Sequence, residues 1–336
     1  MGAGSTMYSS QRDGGMSEMA HKVDELIQQL TRGDWRTRRE ACWALGALGD
    51  VRAFEPLLQR LGDGYSSVRA AACWALGALG DVRAFEPLLQ RLGDDDSSVR
   101  AAACRALGAL GFGAEAQLVT EGLEGKAQAV EQLRHRIAAG EEQLWRPLLA
   151  ALQDPHAKRA EVSRLLGKLG DVRAFEPLLQ RLGDGYSSVR VAACEALGAL
   201  GDVRAVEPML PLLEPELGFG YLVLQSAACV ALAKLGCERV WEKIPRMLNS
   251  RNTVARVAAC EAIGELGDAR GVKLLIRRLA DKKSTVRAAA CRALGKLGDP
   301  RAANAIVQLT LQEKVPEVLQ AAQEALERLL PAQPQG

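Results

Sequence analysis

Large aromatic side chains are scarce: Phe, Trp and Tyr together supply 4% of the 336 residues. That excludes the wide, aromatic-rich cores that two or more ordinary domains of this total length would bury. A background of Leu, Ala and Gly suits thin layers stacked along one axis, each burying only a slab against its neighbours. A charge excess of either sign is also missing. With 43 Lys and Arg against 41 Asp and Glu, nothing draws the whole molecule to nucleic acid or to an anionic membrane. No apolar run approaches the ~18 residues that cross a bilayer, because Arg, Asp or Glu interrupts every candidate, and no membrane association is expected. The opening segment, rich in Gly and Ser, lacks both the basic start and the apolar stretch of a signal peptide. Residues 1–21 read as a flexible tail.

What is present is repetition. Residues 50–80 read DVRAFEPLLQRLGDGYSSVRAAACWALGALG; residues 81–111 repeat them with three changes and 171–201 with two, at a period of 31. Weaker copies cover 24–49, 141–170, 202–236 with a four-residue insertion, 237–267, 268–298 and 299–330, while 112–140 keeps the length but not the pattern. Within a repeat, Asp50 can cap a first helix running to about Leu61, with Phe54, Leu57, Leu58 and Leu61 at helical spacing, Gly62 as its stop and Pro56 marking a bend. A second helix is predicted over Ser66 to Leu79, with Val68, Ala72, Ala75, Leu76 and Leu79 as its buried stripe. Small residues at Ala71, Ala72, Ala75 and Gly77 let neighbouring helices approach toward the lower end of the usual ~8–10 Å. Neither helix hides its apolar face alone, so the repeats must stack.

The pattern xVRxAAxxALGxLGDxRAxxPLLxxL resembles the HEAT-like repeat of the phycobilisome lyase (phycobilin lyase) type. The resemblance spans roughly 22–330, close at 50–111 and 171–210, fair at 237–300 and poor at 112–140. It implies an all-α fold, an α-α superhelix or HEAT-repeat α-solenoid of about ten helix-pair repeats, with the second helices on the concave side. Residues 22–330 read as one solenoid, in which 112–140, having lost the core pattern, is a candidate hinge, followed by a tail over 331–336. That family holds chromophore lyase subunits, deoxyhypusine hydroxylase and many scaffolds without chemistry, so it speaks to fold more than to function. The hydroxylase holds its di-iron centre with His-Glu pairs. Here His21, His135 and His156 fall in different repeats and no His-Glu dipeptide occurs, which argues against that activity.

Other chemical motifs dissolve on inspection. Cys42, Cys73, Cys104, Cys194, Cys229, Cys260 and Cys291 occupy one slot in seven repeats. Layers ~10 Å apart exceed the ~7 Å reach of a disulfide and the span of thiolate ligation, so these read as core residues, reduced as in the cytosol. Cys237, outside the ladder at a helix start, reads as inert packing. Gly111 to Ala116 matches the letters of a dinucleotide fingerprint without a preceding strand. Asp94, Asp95 and Asp96 sit where a helix N-cap belongs. The arginines of the Arg52 and Arg69 slots, recurring in every layer, read as an inter-repeat charge ladder. No catalytic residue, cofactor or metal is expected.

Function is sought where near-identical repeats differ. Among 50–80, 81–111 and 171–201 the variable slots are those of Gly64, Tyr65, Ala70 and Trp74. The Trp74 slot gives Trp43, Trp74, Arg105, Arg164, Glu195, Val230, Glu261 and Arg292; the Tyr65 slot gives Asp34, Tyr65, Asp96, Tyr186, Tyr221, Asn252 and Lys283. Ala70 and Trp74, four apart, share a helix face. This stripe is the expected partner-binding surface of a non-catalytic, monomeric protein-binding scaffold in the cytoplasm, with Trp43 and Trp74 as anchors. Two alternatives accompany it. A phycobilin lyase subunit is implied by the resemblance alone. A nucleic-acid binder, the less favoured, would use the basic run Arg270, Lys273, Arg277, Arg278, Lys282, Lys283, Arg287, Arg292, Lys296 and Arg301.

Overall fold

The computed structural model describes residues 5–213 and 222–330, with side chains from Glu18 onward apart from Leu222. The insertion at 217–220, Tyr221 and the tail over 331–336 lie outside the described residues. Two compact units result, Met1–Leu165 and Leu166–Gly336. The division falls within one helix. The described residues are helical apart from turns and one isolated bridge, Asp94 with Ala157.

The N-terminal unit holds α1 (Ser5–Arg32), α2 (Trp35–Leu48), α3 (Phe54–Arg60), α4 (Ser66–Leu79), α5 (Phe85–Arg91), α6 (Ser97–Ala109), α7 (Gly113–Leu123), α8 (Ala127–Ala138), α9 (Glu142–Ala151) and α10 (Arg159–Leu169). Helix α1 begins well inside the segment read as a tail. The C-terminal unit, entered through the end of α10, holds α11 (Phe175–Gln180), α12 (Ser187–Leu200), α13 (Val206–Met209), α14 (Leu222–Lys234), α15 (Ile244–Leu248), α16 (Thr253–Leu266), α17 (Val272–Arg278), α18 (Ser284–Leu297), α19 (Ala303–Gln312) and α20 (Pro316–Leu329). Second helices pack in series, α2 on α4 on α6 in one unit and α12 to α14, α16, α18 and α20 in the other, which is solenoid stacking.

Local chemistry explains the boundaries. Gly80 ends α4 at φ 72°, a left-handed conformation that favours glycine, and Gly49, Gly201, Gly267 and Gly298 end their second helices likewise. The first helix is shorter than the spacing predicts. The Asp50 carboxylate accepts from the Arg52 N–H at 2.9 Å and holds a 3-10 turn over Val51–Ala53, so α3 starts only at Phe54. Pro56 then falls in the first turn, where an amide has no helical acceptor, and needs no bend.

Two classes of arginine behave differently. Arg38, Arg69 and Arg256 each grip an aspartate 25 residues on with two hydrogen bonds, at 2.7 and 2.9 Å to Asp63, 2.9 and 2.9 Å to Asp94, and 2.9 and 3.0 Å to Asp281. Arg287 does the same to Glu313 at 2.6 and 3.0 Å. These are the inter-repeat rungs. Arg52, Arg83, Arg173 and Arg204 instead fork onto the aspartate two residues earlier, in their own repeat. Arg52 also reaches back to Asp24 of the preceding layer at 3.0 Å, while Arg83 lies 4.2 Å from the centroid of Phe54 and Arg204 4.2 Å from that of Phe175, a cation over a ring between layers.

The last rung carries a pH signature. The Arg287 hydrogen bonds hold the Glu313 carboxyl down at about 2, against an ordinary value of 4.5. The unfolded chain therefore takes up this proton first as the pH falls. The stabilisation is complete above pH 4.5 and disappears as the pH approaches 2. Thermal melts of wild type and Glu313→Gln should differ most near pH 6 and converge by pH 2; a gap that stays constant with pH would contradict the assignment.

The degenerate segment 112–140 forms the pair α7 and α8, and the layers on either side meet without it. Helix α5 packs directly on α9. The Asp95 N–H donates to the His156 carbonyl and the Lys158 N–H to the Gly93 carbonyl, both at 2.6 Å. One consequence corrects the cysteine reading. Six of the seven slot cysteines are buried, their thiols pushed up to about 12 by burial, but Cys104 on α6 is exposed. The helix that packs next on α6 is α7, from the segment that has lost the repeat pattern. Cys237 is buried.

Candidate functional site

On a second helix the Ala70 and Trp74 slots face away from the apolar stripe. In the N-terminal unit Trp43 is 46% and Trp74 45% exposed, amid helices whose neighbouring positions are buried, and Arg105 and Arg164 are exposed on α6 and α10. Trp74 reaches back across its layer, since a Cβ placed on Gly46 would fall 2.9 Å from its Cζ3. Arg39, which stands in the Ala70 slot of α2, lies 5.0 Å from the Trp43 ring centroid and 5.4 Å from that of Trp35. Trp35 also stacks on Tyr65 at 5.7 Å.

In the C-terminal unit the same slots converge. Val191, Glu195, Ser226, Val230, Val257 and Glu261 line a groove of about 420 Å³, which Val223 and Val254 extend. A second hollow of about 390 Å³ continues past Val230, Lys234 and Glu261 to Arg292, Lys296 and Arg328 over a floor of Gly264, Ala289 and Ala293. The Glu261 carboxyl touches solvent yet sits low between walls. Burial pushes its pKa up, against the lowering influence of Arg292 and Lys234.

A HEAT-repeat model matches residues 15–66, 54–146, 145–217 and 243–327, most of the chain and both of its compact units. The chain belongs to the HEAT-repeat family. No curated protein matches it. Among solved structures it is similar to the complex of CpcE and CpcF of phycocyanin lyase from Nostoc sp. PCC7120 (TM-score 0.46, 23% identity, covering 73% of this chain and 94% of that one). An engineered protein (TM-score 0.40, 21% identity, 91% and 88%) and human deoxyhypusine hydroxylase with glycerol (TM-score 0.33, 18% identity, 94% and 98%) are similar as well.

The HEAT repeats separate the two candidate rows. The Tyr65 slot is the N-cap of the second helix. Asp34 accepts there from the Thr37 N–H at 2.8 Å, Asp96 from Ser98 at 2.8 Å and Asn252 from Val254 at 2.7 Å. Hydrogen bonds from Ser98, foremost, and Ser66 hold Asp96 at about 2. Tyr65 and Tyr186 leave the cap without a side-chain acceptor and are exposed. Much of the variation in this row is therefore helix capping. It also lies about 13 Å along the axis from the Trp74 row.

Half of the basic run is paired within the chain. Arg270 pairs with Asp268, Arg287 with Glu313, Lys296 with Glu265 and Arg301 with Asp299, while Arg278 donates to the Leu248 carbonyl at 3.0 Å. Lys273, Arg277, Lys282 and Lys283 remain exposed without an acidic partner among the described residues. Asp94 is no cation ligand: it is buried against Arg69 and Arg91. Among the described residues no cluster of three His, Cys, Asp or Glu side chains could hold a metal, and no helix is long and apolar enough to cross a membrane. The residues that slot-by-slot reading overlooked are Arg39, Val191 and Val257. All stand in the Ala70 slot, whose variation was visible but was not traced through every repeat.

Proposed function

We propose that this HEAT-repeat chain is a non-catalytic scaffold that holds a protein partner along the exposed face of its second helices, in a reducing compartment that keeps the buried thiols reduced. Trp43, Trp74 and Arg105 form the contact row in the N-terminal unit, and Glu195, Glu261 and Arg292 form it in the C-terminal unit. One observation carries the reading: repeats otherwise nearly identical differ at the Trp74 slot, and that slot is open to solvent in layer after layer. Tryptophan and arginine are the side chains that most often dominate interfaces, and exposed tryptophans invite aggregation unless covered.

A photo-crosslinking residue placed at Trp74 should capture a discrete protein in native extract. The same residue at Val82, still more open on the 3-10 turn of the next repeat but invariant in near-identical copies, should not. Equal capture from both positions would mean that the row is surface drift.

A further inference from the structure

The Trp74 row of the N-terminal unit has an order that the fold does not require. Tracing the two slots together through α2, α4 and α6 gives Arg39 with Trp43, Ala70 with Trp74, and Ala101 with Arg105. Two half-exposed tryptophans stand in the middle, and an arginine stands at each end.

Neither end charge is held by a buried carboxylate, although Arg39 also lies over the Trp43 and Trp35 rings. Around Arg39 the nearest carboxylate is Glu40, 3.7 Å away and 68% exposed, and the Arg39 Nε is buried without a hydrogen-bond partner. Arg105 is exposed and has no acidic partner among the described residues. One guanidinium with only a loose, exposed carboxylate beside it and one with none, bracketing an aromatic floor, make a charge pattern that a partner can complete.

We propose that the N-terminal unit binds an acidic segment of its partner: an extended stretch whose apolar side chains cover Trp43 and Trp74 and whose carboxylates meet Arg39 and Arg105. This rests on the protein-binding reading and specifies the partner's chemistry. The geometry sets the spacing. Two helix layers of ~8–10 Å separate the end arginines, and an extended chain rises ~3.3 Å per residue, so the carboxylates fall about six residues apart. Single-stranded nucleic acid fits less well. It carries a phosphate at every nucleotide, and the positions between the two arginines are Ala70 and Ala101, which offer no cation.

The test is fluorescence anisotropy on the full chain with three labelled probes: a short peptide with glutamates at both ends around leucine and phenylalanine, the same peptide with lysines in place of the glutamates, and a short thymidine strand. The acidic peptide should bind at least tenfold more tightly than the lysine peptide, more weakly as salt is added, and at least tenfold more weakly to Trp74→Ala. The doubly charge-reversed Arg39→Glu/Arg105→Glu chain, checked for helicity, should lose the acidic peptide and gain the lysine one. Equal affinity for both peptides, preference for the lysine peptide or the thymidine strand, or no binding of the acidic peptide would overturn the proposal. Cross-linking from position 74 would still report separately whether any protein covers this face.

Discussion

Replacing Asp94 by alanine is expected to cost about 3–5 kcal/mol, read as a large drop in the urea midpoint, because it removes the carboxylate that two buried cations share. Arg69 is 2% and Arg91 4% exposed, and both point at an aspartate that is itself 1% exposed. Asp94 takes two hydrogen bonds from Arg69 at 2.9 Å and a longer contact from Arg91 at 3.5 Å. Arg91 also reaches the Leu61 carbonyl at 3.0 Å and pairs with Asp154 of the α9 layer. Removing the carboxylate leaves Arg69 with Asp95 and Arg91 with Asp154, two largely buried guanidinium groups that have each lost a charged partner. The control lies one residue away. Asp95 also meets Arg69, at 3.0 Å, but its side chain is 62% exposed, so Asp95→Ala should cost no more than about 1 kcal/mol.

The Asp94 variant should also change where the unit opens first. The neighbouring backbone hydrogen bonds, from Asp95 to His156 and from Lys158 to Gly93, join layers that are distant in sequence. With Asp94 gone, amide exchange in α9 and α10 should accelerate ahead of that in α2 and α4. Equal, small losses for the Asp94 and Asp95 variants would show that the cluster contributes little beyond surface pairing.

How much of this was legible in the sequence depends on how local the cause is. The ends of α4 were readable because Ser66 to Leu79 is bounded by turn residues and a glycine that must adopt a left-handed conformation. The 3-10 turn at Val51–Ala53 was not, since it depends on Asp50 turning its carboxylate to the Arg52 amide in competition with an ordinary N-cap. The solvent-facing slot of Trp74 followed from helical periodicity. Arg69 was recognisable as structural, yet its partner 25 residues on needs the stacking register, which periodicity alone does not supply. Cys104 looked buried because its neighbours in sequence match those of Cys73; its exposure depends on which helix comes next, and there the pattern breaks. The grooves around Glu261 were illegible for a related reason. They arise from side chains of several layers and exist only once the layers are placed.

The sharpest expression of that dependence is a pair of glycines in identical local sequence. Gly77 on α4 and Gly108 on α6 both sit in ALGAL. A Cβ at Gly77 would fall 2.7 Å from the Ala106 Cβ and 2.8 Å from the Ala106 Cα, whereas one at Gly108 meets nothing within 4 Å. Helix propensity favours replacing either glycine, by about 1 kcal/mol for alanine. At Gly108 that gain should appear, so Gly108→Ala is expected to stabilise by up to about 1 kcal/mol. At Gly77 the obstacle is the backbone of the next layer, which cannot rotate away. Gly77→Val should therefore destabilise by about 3 kcal/mol through overpacking. Adding Ala106→Gly to the Gly77→Val chain should recover part of the loss, a non-additivity expected only of residues in contact. Urea titrations of the four chains decide it: like signs at the two glycines would mean that α4 and α6 are not held together by this glycine-to-alanine approach, and that local propensity governs both positions.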